Sequence, residues 1–164
     1  MKGRFLSLLT SIGLFGASTG VAQAAEPSAL APARPTVYQV RSEDGPCLDA
    51  AGNSGEVVQT WWDCNRTRAQ KWRFESLHGG VRIVHARTDT CATLVGRQSA
   101  DIVLKECERE DPEDSQTWRV TPDEGARRRY QNLADFCWLR DAGSGRPVAC
   151  VHKLPATRWT VRKS

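Results

Sequence analysis

Residues able to do covalent or acid–base chemistry are common in this chain of 164 residues, yet they form no catalytic set. The nearest approach to a nucleophile turn is Gly52-Asn53-Ser54-Gly55. It lies in a Gly/Asn-rich stretch between two β-like runs, with no histidine placed by sequence to serve it, and reads as a turn. The chain has 19 acidic residues, but no two are marked as a pair for glycoside hydrolysis. There is no H-E-x-x-H, no phosphate loop and no C-x-x-C, and His78, His85 and His152 are not at ligand spacing from the cysteines. The expectation is a protein that is not an enzyme and needs neither metal nor cofactor. Asn65-Arg66-Thr67 matches a glycosylation sequon and is read as chance.

The cysteines carry the organisation. Cys47-Leu48-Asp49 is followed by Cys64 and Gln70-Lys71-Trp72. Cys91-Ala92-Thr93 is followed by Cys107 and Gln116-Thr117-Trp118, and Cys137-Trp138-Leu139 by Cys150 and Thr157-Arg158-Trp159. A unit that recurs roughly every 45 residues marks a repeat architecture. Six cysteines allow 15 pairings in general, and the repeat favours Cys47–Cys64, Cys91–Cys107 and Cys137–Cys150. Each bridge would close a loop of about 12 to 17 residues, worth roughly 3 kcal/mol in the chain-entropy account.

The first 25 residues read as a secretory signal. Lys2 and Arg4 lead, Phe5 to Phe15 is mostly apolar and too short to span a membrane, and Ala22-Gln23-Ala24 is a cleavage site. Residues 26–36 read as a Pro/Ala-rich flexible leader, and 37–164 as one domain with repeats at about 37–76, 77–122 and 123–164. An even cysteine count behind such a signal implies a secreted or extracellular protein, or a periplasmic one in a double-membrane bacterium. Taking Lys2 and Arg4 from the 23 basic residues leaves 21 against 19 acidic ones, too small an excess to argue for nucleic acid. The acidic run 108–114 and the basic run Arg127-Arg128-Arg129 read as solvated loops.

Short β-rich runs bounded by Gly, Pro, Asn and Asp dominate, four in each repeat, and no amphipathic helix stands out. Twelve short strands suggest a closed or sandwiched all-β domain. Trp72, Trp118 and Trp159 fall at the same place in each unit and are expected in a shared core.

The pattern Cys-Leu-Asp, Val-Val-Gln-Thr-Trp-Trp-Asp-Cys-Asn and Gln-x-Trp resembles the ricin-type β-trefoil lectins, over about Val37 to Val161. The resemblance implies a pseudo-threefold barrel capped by hairpins, with one shallow sugar site possible per repeat. It implies a carboxylate that accepts from two sugar hydroxyls, an aromatic ring that stacks on the sugar, and a Gln and an Asn-Gln pair that complete or support the site. In repeat one these roles fall to Asp49, to Trp62 (counting back two from Cys64), with Thr60 then at the Gln position of the strand, and to Gln70, with Ala69 where the Asn belongs. A one-residue bulge would instead give the strand roles to Gln59 and Trp61. Asn53 and Asn65 lie on nearby turns and could contribute.

Counting in the same way puts Thr93 and Lys105 at the carboxylate and ring positions of repeat two, and Leu139 and Val148 in repeat three, so both sites are expected to be dead. The expected protein is a secreted glycan-binding lectin without a membrane span. The alternative is a partner-binding or cell-binding subunit of a toxin or enzyme complex, as lectin-like trefoils are in cytolethal distending toxin; a protease inhibitor is less expected.

Overall fold

The computed structural model describes residues 35–50, 56–96, 101–109, 114–153 and 155–164. The expected signal, the leader up to residue 34, the turn Gly52–Gly55 with Asn53, and residues 110–113 of the acidic run lie outside the described residues. The described part belongs to one compact unit, Arg34–Ser164.

Twelve strands follow in order. Repeat one contributes β1 (Tyr38–Ser42), β2 (Cys47–Ala50), β3 (Val58–Trp61) and β4 (Trp72–Leu77). Repeat two contributes β5 (Gly80–His85), β6 (Thr90–Val95), β7 (Asp101–Glu106) and β8 (Trp118–Pro122). Repeat three contributes β9 (Arg127–Asn132), β10 (Trp138–Arg140), β11 (Ala149–Val151) and β12 (Trp159–Lys163). The one helical element among the described residues is a 3-10 turn, Arg68–Gln70. The twelve expected strands are present, four in each repeat.

The first and last strands of each repeat close a ring of antiparallel pairs: β1–β4, β4–β5, β5–β8, β8–β9, β9–β12 and β12–β1. A closed ring leaves no free edge to template association. The middle strands form three hairpins, β2–β3, β6–β7 and β10–β11. Each hairpin is bridged to the next, at Val57 with Val103, Asp101 with Ala149, and Gln59 with Pro147. The result is the expected β-trefoil, a six-stranded barrel under a triangular cap.

Period-two alternation decides what each hairpin buries. In β3, Val58 and Thr60 are buried, while Gln59 is half-buried and Trp61 exposed. Trp72, Trp118 and Trp159 are fully buried in one apolar cluster with Val40, Leu48, Ile83, Leu104 and Leu139. Each indole also satisfies its polar atom: Nε1 donates to the carbonyl of Leu48 (3.0 Å), Ala92 (3.1 Å) or Leu139 (3.4 Å). The tryptophans open the closing barrel strands and the carbonyls sit in the hairpins, so each bond fastens cap to barrel.

The three disulfides are those the repeat favours, Cys47–Cys64, Cys91–Cys107 and Cys137–Cys150, with Cα atoms 5.3, 5.1 and 5.3 Å apart. Removing a buried indole loses both packing and this anchor. Trp118→Ala should therefore lower unfolding free energy by about 3–5 kcal/mol, measured by urea denaturation of the oxidised protein; a loss below about 1 kcal/mol would put Trp118 outside the core.

Candidate functional site

The repeat-one hairpin sorts its side chains by register. Residues directly opposite in an antiparallel pair share a face. Cys47 opposes Trp61 and Asp49 opposes Gln59, whereas Leu48 opposes Thr60 and Ala50 opposes Val58. Leu48, Ala50 and Val58 belong to the core, so Asp49, Gln59 and Trp61 share the outer face.

Asp49 is 8% exposed, and its Oδ1 accepts a hydrogen bond from Gln59 Nε2 at 3.3 Å. Among the described residues, its Oδ2 has no hydrogen-bond partner. A carboxylate whose rotamer is held through one oxygen while the other stays open suits a hydroxyl-donating ligand. Trp61, 45% exposed, stands two residues along from Gln59 and supplies a flat apolar ring beside it.

Counting back from Cys64 selects Trp62, but the pairing puts Trp61 at that place, with Gln59 rather than Thr60 beside Asp49. The equivalent in repeat two is Lys105, which opposes Cys91 as Trp61 opposes Cys47. Lys105 stands two residues before Cys107 and Trp61 three before Cys64, so one additional residue follows the repeat-one strand. Trp62 follows the strand, 65% exposed; its ring lies over Gly45, where an added Cβ would meet it at 3.3 Å.

Gln70 is buried and faces no solvent. Its Nε2 donates to the Asp63 carbonyl (2.6 Å), and its Oε1 accepts from the Arg66 amide (3.3 Å) and from Gln39 Nε2 (3.2 Å). It therefore braces the segment around Cys64 and supports the site from behind. Gln116 does the same in repeat two, donating to the Glu106 carbonyl (2.8 Å) and accepting from the Glu108 amide (3.0 Å). Thr157 stands at the same place in repeat three but holds a different segment, accepting from the Asp141 amide at 2.9 Å. Asn65 is exposed and caps a local turn, its Oδ1 accepting from the Thr67 amide at 3.3 Å. Ala69, half-buried, offers no side-chain hydrogen bond.

Repeat three supplies a part that the sequence analysis did not assign. The loop after β10 is laid on β3: Gly145 donates from its amide to the Thr60 carbonyl (2.7 Å), and the Trp62 amide donates to Ser144 Oγ (2.8 Å). Asp141 anchors this loop, Oδ1 accepting from the Thr60 hydroxyl (2.7 Å) and the Gly143 amide (2.8 Å). Gly145, at φ 74°, lies against the Trp61 ring, and a Cβ there would sit 3.6 Å from it. Nothing in the sequence of the Asp141-x-Gly143-x-Gly145 run marks its partner in another repeat.

The other two repeats lack the constellation. In repeat two, Thr93 takes the carboxylate place, buried, with Gln116 Nε2 donating to its hydroxyl at 3.1 Å, and Val103 opposes it. In repeat three the expected residues are corrected by one register step. Leu139 accepts the tryptophan bond and opposes Cys150, so it matches Leu48 and Ala92, and it is core. The outer-face places belong to Arg140 and Val151, not to Leu139 and Val148, and Val148 is buried. Neither set pairs a carboxylate with a ring.

The pattern of the ricin-type beta-trefoil lectin domain matches residues 36–159. No curated protein sequence matches the chain. Among solved structures, the designed threefold-symmetric protein ThreeFoil is similar at 14% identity and TM-score 0.69, over 78% of this chain and 99% of that one. A mosquitocidal holotoxin is similar at 14% identity and TM-score 0.68, over 80% of this chain but 17% of its own length. A ricin B-like lectin of Macrolepiota procera, solved in complex with lactose, is similar at 15% identity and TM-score 0.64, over 78% of this chain and 95% of that one.

The brace generates a stability prediction. Gln70→Ala removes a buried side chain and its three hydrogen bonds and should cost about 1–3 kcal/mol, whereas Asn65→Ala on the exposed turn should change stability by less than about 0.5 kcal/mol. Urea melts of both variants give the comparison.

Proposed function

This chain belongs to the ricin-type β-trefoil lectin family, and from that premise we propose that it is a carbohydrate-binding protein with one glycan site, on the outer face of the repeat-one hairpin. The observation that carries the reading is the juxtaposition of Asp49, Gln59 and Trp61 on one face, found in no other repeat. Asp49 Oδ2 accepts from sugar hydroxyls, Gln59 orients the carboxylate, and the Trp61 ring packs on the apolar face of the sugar. The ring costs little entropy to present because Gly145 already backs it.

Gln70 holds the disulfide segment beneath, and Trp62 and Asn65 stand on the rim, where they contact larger glycans. A single shallow site with few contacts fits a dissociation constant around millimolar for a monosaccharide. Avidity would then come from a multivalent glycan or from several copies of the protein. Three disulfides and the leader pattern at residues 1–25 support secretion into an oxidising compartment. The chain works without metal, cofactor or catalysis in this reading. No helix among the described residues is long and apolar enough to cross a membrane.

The test is a glycan array followed by titration with the best ligand. Asp49→Ala and Trp61→Ala should each abolish binding without unfolding the domain. Trp62→Ala should weaken monosaccharide binding by less than about threefold, a rim effect of under 1 kcal/mol. Binding that survives Asp49→Ala, or that depends on Trp62 and not Trp61, moves the site elsewhere.

A further inference from the structure

A second cleft lies where β1 and β4 begin and β5 ends, lined by Val37, Arg68, Lys71, Ala86 and Arg87, with a volume of about 340 Å³. Three of these five residues are cations. They come from separate places in the sequence: Arg68 from the 3-10 turn, Lys71 just before β4, and Arg87 just after β5. The β4–β5 ladder brings them together, because Trp72 opposes His85 and the Ala86 amide then donates to the Lys71 carbonyl at 2.8 Å.

Among the described residues, none of the three side chains has a salt bridge or a hydrogen bond. Of the neighbouring acids, Asp89 and Glu75 both pair with Arg73, at 2.7 and 3.2 Å, and Asp49 accepts from Gln59 at 3.3 Å. His85 sits behind the cleft with Nε2 donating to the Arg68 carbonyl at 3.1 Å, and Nδ1 meets the Thr88 hydroxyl at 2.9 Å. Burial holds its pKa below the ordinary value, and the Arg87 charge lowers it further while the Arg68 carbonyl and Asp49 oppose. At neutral pH the ring is uncharged and needs no counter-ion of its own, so the cleft's unmatched charge is that of Arg68, Lys71 and Arg87.

Three like charges converging on a concave site repel one another unless an anion joins them. Two guanidinium forks match the oxygens of a tetrahedral oxyanion, and an ammonium adds a point charge. We propose that this cleft binds a sulfate or phosphate ester carried on a saccharide, as a second site apart from the Asp49 face. The saccharide part rests on the lectin reading; the anion part does not. The conspicuous run Arg127-Arg128-Arg129 is a different surface, in which Arg129 is already paired with Asp123 at 2.8 Å.

The test titrates the whole protein at low salt with inorganic sulfate, inorganic phosphate, a heparin-derived tetrasaccharide and a phosphorylated monosaccharide, beside the best neutral glycan. The wild type should bind at least one ester-bearing saccharide, more weakly as salt is added. Arg68→Ala/Arg87→Ala should weaken that binding about tenfold or more, since each removes a charge-assisted contact, and should leave neutral-glycan binding unchanged. Arg127→Ala/Arg128→Ala should leave both unchanged, and Asp49→Ala should remove the neutral glycan only.

The four arms separate sulfate from phosphate preference. Binding of inorganic anions without either saccharide would keep the anion site and refute its saccharide ligand. No anion binding by the wild type, or equal loss in the Arg127/Arg128 variant, overturns the proposal whatever the neutral glycan does.

Discussion

Three indole N–H bonds hold this molecule together. A tryptophan is too large to leave outside a core and too polar at Nε1 to bury without a partner. Trp72, Trp118 and Trp159 meet both demands by packing at the barrel's centre and donating to a hairpin carbonyl. Each hairpin is thereby pinned to the barrel, and its alternate residues are committed inward or outward. The three disulfides, with the Gln70 and Gln116 braces beside Cys64 and Cys107, then fix the segment that follows the hairpin, while Thr157 holds the Asp141 amide after β10.

That division separates folding from binding. Positions on the inner face of the hairpins are core in every repeat, whereas the outer carboxylate position holds Asp49, Thr93 and Arg140 in turn. An outward side chain contributes little to the core, so the scaffold tolerates three different residues there. The repeat-one face is nevertheless not built by repeat one alone. Asp141, Ser144 and Gly145 from repeat three seat the strand that carries Gln59 and Trp61.

The fold was largely legible in the sequence because its main constraint recurs: tryptophan and cysteine pairs at a fixed period announce the units and their pairing. The outer face was less so, for reasons of register. The cysteine is an unreliable ruler, since Cys64 lies one residue further beyond the ring position than Cys107 does, and Cys137 precedes β10 instead of opening it. A disulfide reaches its partner from either placement, with Cα separations of 5.3 Å in both repeats one and three. Counting back from Cys64 gives Trp62, whereas the one-residue bulge gives Gln59 and Trp61, the pair that the register puts on the face of Asp49. The basic cleft left no trace as a run, because strand pairing, not adjacency, gathers Arg68, Lys71 and Arg87.

The central claim is that ligand meets the protein at the repeat-one outer face. The six tryptophan indoles give one nuclear magnetic resonance signal each and sample different parts of the molecule. Titrating a neutral glycan identified by array should shift the Trp61 indole most and Trp62 less, leaving Trp118, Trp138 and Trp159 in place. Movement at Trp138 with Trp61 unmoved would contradict the account and put the sugar on repeat three.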